Sequence, residues 1–187
     1  MQSPYHRKKQ PHLIRRTLLD CAAALALEQG LVGVSLQAVA EATGVTKGGL
    51  LHHFPNRRAL VEGVVSDLLQ RTEAILDALM ARDPHPRGRF TRAYVEMTFA
   101  DPVPGEGQEW TALCLSMVAE PSVRRIWGEW LAGRLERHRA TDHGPVFEIV
   151  RLAADGAWLA HLMRGEGGRT TGVEALRLRL IAMTRDD

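Results

Sequence analysis

From Leu60 onward the apolar residues recur at three- and four-residue steps, with no strand-like alternation and no internal repeat. The same period holds earlier, where Ile14, Leu18, Cys21, Ala22 and Leu25 form one stripe on a helix expected over residues 12–29. A long helix is expected from about Arg57 to Ala81, stopped by Asp83-Pro84-His85-Pro86. Further helices are expected near 87–100, 108–119, 121–140, 145–164 and 172–185, with Pro121 and Pro145 at helix starts. Residues 101–107 and 165–168 read as a loop and a connector. The fold class is all-α: an N-terminal three-helix unit over residues 1–56 and a C-terminal helical unit over 57–187.

The most specific local pattern runs from Ser35 to Phe54. Ser35 is an N-cap, because its hydroxyl accepts from an otherwise unpaired amide of the first turn. Leu36, Val39 and Ala40 follow on one face, and Ala40 is small enough for another helix to cross it. Gly44 ends this helix, since glycine takes positive φ without steric cost. Val45 is a buried turn residue, Thr46 caps the next helix and Leu50 turns back to the core. This is the pattern of a helix-turn-helix, whose second helix enters the major groove of DNA. Gly48 and Gly49 stand near the start of that helix, where each costs up to ~1 kcal/mol relative to Ala. Two readings stand side by side: close approach of the backbone to phosphates and base edges, or simple tolerance in a first turn. His52 and His53 are neighbours, so they point apart and suit phosphate or base contact better than a shared metal. Phe54 reads as core. Asn56 caps the following helix, which places Arg57 at a helix N-terminus suited to phosphate; a solvated surface pair of Arg57 and Arg58 is the alternative.

The residues from Ile14 to Val64 resemble the TetR family of bacterial transcriptional regulators. The match rests on Glu28-Gln29-Gly30, Val39-Ala40-Glu41, Gly44-Val45-Thr46-Lys47-Gly48, Leu50, His53-Phe54, Arg57 and Leu60, in unbroken spacing. The rest of the chain matches only in helical character. By position, the resemblance implies DNA contacts from Ser35, Gln37, Thr46, Lys47, Gly48, Gly49, His52, His53 and Arg57. The family commonly has Tyr where this chain has Leu51, and that hydroxyl often meets a phosphate. Leu51 contacts a thymine methyl, packs on a sugar, or leaves the contact unmade. Aromatic residues the family often carries near Ala26 and Leu31 are aliphatic here.

Charge agrees with this reading once its distribution is considered. The net charge of the 187 residues is only +2. Residues 1–63 nevertheless hold Arg7, Lys8, Lys9, Arg15, Arg16, Lys47, Arg57 and Arg58 against Asp20, Glu28, Glu41 and Glu62, and the remainder is net acidic. The positive field thus lies with the motif, as phosphate binding requires. His6 to Lys9 reads either as a basic arm reaching along DNA or as a solvated tail. Arg15 and Arg16 are further candidates for phosphate. No apolar run follows the basic segment in the manner of a secretion signal, and no stretch has the apolar length of a membrane span. Cys21 and Cys114 fall in separate apolar stripes and read as core thiols of a cytoplasmic protein.

In the C-terminal region, Ala153, Gly156, Ala157 and Ala160 form a small-residue seam beside Trp158, and Leu176 and Leu180 line the last helix. Two such helices paired with their copies make a four-helix dimer interface, as is usual in the family; packing within one chain is the alternative. Aromatic and Met residues of the middle helices read as core or as an apolar pocket, the pocket being expected near Met97, Trp110, Met117 and Trp127. The implied function is a homodimeric repressor released from a palindromic double-stranded operator by a small, largely apolar effector. The alternative is an activator or global regulator without an effector. No nucleophile elbow, phosphate loop or metal-ligand spacing is present, so neither an enzyme nor a cofactor is expected. The basic N-terminal segment weighs against a module that uses the motif for packing alone.

Overall fold

The computed structural model describes residues 11–100, 120–162 and 172–185. Among these residues the fold is entirely helical: α1 (Pro11–Gly33), α2 (Leu36–Thr43), α3 (Lys47–His53), α4 (Arg57–Arg82), α5 (Arg89–Phe99), α6 (Pro121–Arg137), α7 (Arg139–Asp142), α8 (Pro145–Leu162) and α9 (Val173–Met183). The expected helix at 108–119, the connector at 165–168, the basic segment at 6–9 and Cys114 lie outside the described residues. The expected helix at 121–140 is interrupted at His138, which has left helical geometry, and a short turn of helix follows. That turn brings buried Asp142 to the start of α5, where its carboxylate accepts from Thr91 N at 2.7 Å. Asp142 thereby supplies the cap that Gly88, with no side chain, cannot.

Two apolar clusters hold the helices. The first joins Leu18, Leu19, Ala22 and Ala26 of α1, Val39 of α2, Leu50 and Phe54 at α3, and Leu60 to Leu69 of α4, with Val123 of α6. The second joins Leu76 and Met80 of α4 to Phe90, Tyr94 and Val95 of α5, Val150 and Ala154 of α8, and Leu180 of α9. Helix α4 therefore belongs to both clusters, and the expected boundary at residue 56 falls within the first. Trp130 of α6 packs against both.

Polar links reinforce the junction of α1 with α4. Arg16 pairs with Asp20 at 2.9 Å and with Asp67 at 2.8 Å, and Arg71 pairs with Asp20 at 3.0 Å and with Asp67 at 2.9 Å. The four side chains close a ring of ion pairs on the surface, so Arg16 is turned onto α4. At the far end of α4, buried Arg92 bonds Asp83 at 2.6 Å and His85 O at 2.7 Å. Burial opposes the charge of Asp83, and the bonds from Arg92 and the His85 amide outweigh it, so its pKa lies below the usual carboxylate range.

Candidate nucleic-acid interface

The turn between α2 and α3 is built by local hydrogen bonds. Ser35 Oγ accepts from Ala38 N at 3.0 Å, as an N-cap must. Gly44 takes φ 69°, the left-handed conformation in which a Cβ is strained. Thr43 Oγ1 donates to Val39 O at 2.7 Å, which helps close the helix end. Thr46 Oγ1 then accepts from Gly49 N at 3.2 Å and starts α3. Leu50 is fully buried and Phe54 is 2% exposed, so one side of α3 is fixed to α1 and α4.

Fixing that side turns the other outward. Thr46, Lys47, Gly48, Leu51 and His52 are exposed, while Gly49 and His53 are half-buried. Positions 47, 48, 51 and 52 share one face of a helix. Gln37 is exposed on α2 and bonds Glu41 at 2.9 Å. Ser35 is half-buried. Burial, together with the nearby His52 and Arg15, lowers the His53 pKa, so its imidazole is neutral at pH 7. The Arg15 guanidinium lies 4.7 Å over the Phe54 ring, a contact that the sequence pattern did not suggest.

The two glycines of α3 differ. A Cβ on Gly49 would stand 3.2 Å from both Thr46 Oγ1 and Val45 Cγ1, against the cap itself. A Cβ on Gly48 would meet nothing within 4 Å. Packing thus accounts for Gly49, whereas nothing among the described residues requires Gly48.

Arg57 has partners that the sequence pattern did not suggest. Its Nε donates to Val34 O at 2.8 Å and its Nη2 to Leu31 O at 2.5 Å, with Glu120 3.7 Å away. Both carbonyls lie at or just past the C-terminal end of α1, beyond the interruption at Gly30, and Leu31 O also accepts from Val34 N at 3.2 Å. The guanidinium is held on those carbonyls, with the side chain 42% exposed.

The expected dimer residues also divide. Leu180 is 3% exposed and packs inside the protomer, so it offers a partner nothing. Ala153 and Leu176 pack partly against the second cluster. Gly156 and Ala160 are exposed, and Ala157 and Trp158 are half-buried. Phe147, Val150 and Ala154 are the inward residues of α8, which turns Val146, Ile149, Leu152 and Leu159 outward at 40%, 54%, 62% and 50% exposure. Gly156 and Ala160 fall on the same outward side of the helix as these large residues, so the exposed face of α8 carries both kinds. Leu178 of α9 is likewise exposed.

Of the expected pocket residues, Trp110 and Met117 lie outside the described residues. Met97 packs on the second cluster and Trp127 on the first, so those two do not share one cluster. The hollow of about 400 Å³ between the starts of α4 and α6, lined by Arg57, Arg58, Val61, Glu120, Pro121, Ser122 and Arg125, contains neither. No helix among the described residues is long and apolar enough to cross a membrane.

A capped recognition helix with an open outer face, braced by α1 and carried on a long α4, defines a helix-turn-helix DNA-binding protein. Comparison with known proteins narrows the class. Residues 18–64 match the bacterial regulatory proteins of the tetR family, and residues 88–185 match the tetracyclin repressor-like C-terminal domain. The chain is 31% identical over 184 residues to the HTH-type transcriptional regulator BetI of Pseudomonas aeruginosa, covering 88% of this chain and 89% of that protein. It is 35% identical over 72 residues to the HTH-type transcriptional repressor KstR2 of Mycolicibacterium smegmatis, spanning 36% of this chain and 35% of that protein. Among solved structures, the multidrug binding protein EbrR complexed with malachite green superposes with a TM-score of 0.72 at 18% identity, over 91% of this chain and 97% of that one. A transcriptional regulator from Rhodococcus sp. Rha1 gives 0.67 at 19% identity, over 91% and 96%. The chain belongs to the TetR family; it is a DNA-binding transcriptional regulator and not an enzyme.

Proposed function

We propose that the protein is a cytoplasmic homodimeric repressor that binds a palindromic operator and leaves it when a small molecule occupies its helical body. The observation that carries this reading is the outer face of α3, where Lys47, Gly48, Leu51 and His52 stand open while Leu50 and Phe54 anchor the helix from behind. Lys47 is the phosphate cation, and the exposed Thr46 hydroxyl donates to a phosphate while still accepting from Gly49 N. Gly48 lets the backbone approach, His52 reaches phosphate or a base edge, and Leu51 meets a thymine methyl. Ser35, Gln37, Gly49 and His53 complete the surface. The outward stripe of α8 supplies the two-fold contact, which sets two copies of α3 one DNA turn, about 34–36 Å, apart. KstR2 is by name a repressor, and EbrR has been solved with malachite green and with ethidium, which supports control by a ligand here. The ligand acts only through its difference in affinity between operator-matched and mismatched dimers.

The test is footprinting of the purified protein across its own genome. The expected result is protection of a palindromic site whose half-sites lie one turn apart. Uniform protection that vanishes with salt, without any favoured site, would show binding to the phosphate backbone alone.

A further inference from the structure

Helix α6 carries Trp130 and Arg134 four residues apart, and His138, the residue that closes its C-terminal end, follows at the next such step, so the three lie along one stripe about 12 Å long. The stripe faces α4 and α5. Arg134 is 1% exposed; its Nη2 donates to Asp77 at 2.6 Å, while Nη1 stands 3.7 Å from Glu73, beyond hydrogen-bond reach. The Phe90 ring lies 5.7 Å from that guanidinium and stacks on the His138 ring at 4.9 Å, 7° from parallel. Trp130 lies against Trp127 with ring centres 5.0 Å apart.

Among the described residues, Trp130 Nε1, Arg134 Nε, Arg134 Nη1 and His138 Nε2 are buried without a hydrogen-bond partner. Buried unpaired polar atoms are uncommon, and here four of them fall along the C-terminal half of α6 and its closing residue. Trp130 Nε1 and the two Arg134 nitrogens can only donate. Burial first, and then the positive Arg134, hold the His138 imidazole below its usual pKa, so it is neutral. An occupant must therefore bring acceptors. A carboxylate offers two oxygens and about four lone-pair sites, enough for three donors, where a single carbonyl has two. The surrounding rings favour a flat body.

We infer that the Trp130–Arg134–His138 stripe of α6 binds a planar aromatic compound bearing a carboxylate, and that this compound is the effector. The inference rests on the reading of the protein as ligand-controlled, and it adds a polar end to the apolar effector expected from sequence. Seating a ring there parts α6 from α5. Because Trp130 packs on both clusters, that displacement is felt by the cluster holding α1, α2 and α3.

Isothermal titration of the full chain with 2-naphthoate and benzoate, against 2-naphthylmethylamine as the matched cation, tests the site. The carboxylates bind and the amine does not. Trp130→Phe keeps a ring but removes one donor and weakens naphthoate about fivefold, and Arg134→Lys weakens it about tenfold or more. Thermal unfolding confirms that each variant folds; if Arg134→Lys does not, Trp130→Phe decides alone. Equal binding of amine and carboxylate, no carboxylate binding, or undiminished affinity in the folded variants overturns the assignment. Gel shifts on the footprinted site separate the two readings. Naphthoate that binds without changing operator affinity upholds the binding stripe and overturns its role as effector site. Operator binding by a protein that takes no carboxylate overturns the stripe and leaves the DNA reading intact.

Discussion

Replacing Gly48 with Ala sets folding against DNA binding at one position. The added Cβ meets nothing within 4 Å, and Gly48 is not among the positive-φ glycines, so the free protein accommodates it without strain. Removing glycine's backbone freedom near a helix start stabilises by roughly 0.5–1 kcal/mol. For a chain of this size that raises Tm by about 1–4 °C. If α3 lies against a duplex, the same methyl holds the backbone away from a phosphate. Losing one hydrogen bond to a charged group costs about 1.5–3 kcal/mol, or about ten- to a hundredfold in operator affinity. Differential scanning calorimetry and gel-shift titration on the same preparation give both numbers. A stabilised variant with undiminished operator affinity would refute the placement of Gly48 on the DNA. Gly49→Ala is the control, since its Cβ would press on Thr46 Oγ1 and Val45 Cγ1 at 3.2 Å, so no gain in Tm is expected.

Three further outcomes are expected. Arg57→Ala removes two bonds to the carbonyls of Leu31 and Val34, one end of a half-exposed side chain, and lowers stability by about 1–3 kcal/mol in urea melts. Unchanged stability with a salt slope of DNA binding smaller by about one would instead restore Arg57 as a phosphate contact. Leu152→Glu, at a site 62% exposed, leaves protomer stability within about 0.5 kcal/mol yet yields monomers in sedimentation; an intact dimer would show that the interface lies elsewhere. The folded His138 has a lowered pKa, so the unfolded chain takes up the proton first. Stability is therefore full above the ordinary imidazole value of about 6.5 and declines as pH falls below it. His138→Gln should flatten that part of the pH–stability curve, and a curve as steep as before would contradict the assignment.

The helix-turn-helix was legible in sequence because each of its parts is a local rule. Ser35, Thr46 and Asn56 cap through bonds three residues ahead, and Gly44 stops α2 by its own φ. What escaped was decided by distant partners. Arg57 is drawn to the carbonyls of Leu31 and Val34 at the end of α1, more than twenty residues earlier. The side of α8 that faces outward depends on how Val150 and Ala154 are received by residues of α5 and α9. Leu180 repeats at helical spacing with Leu176, but only packing tells that it is spent within the protomer. The break at His138 likewise follows from a tertiary demand, the delivery of Asp142 to the amide of Thr91.

The square of charges formed by Arg16, Asp20, Asp67 and Arg71 lies at the surface, exposed at Arg16 and Asp20 and half-buried at Asp67 and Arg71, so dissolved ions weaken it as they weaken contacts to phosphate. Added salt therefore acts twice: it competes at the duplex and slackens the latch that sets the angle of α1 on α4. A plot of log affinity against log salt would then be steeper than the number of phosphates touched, and counting contacts from its slope would return too many.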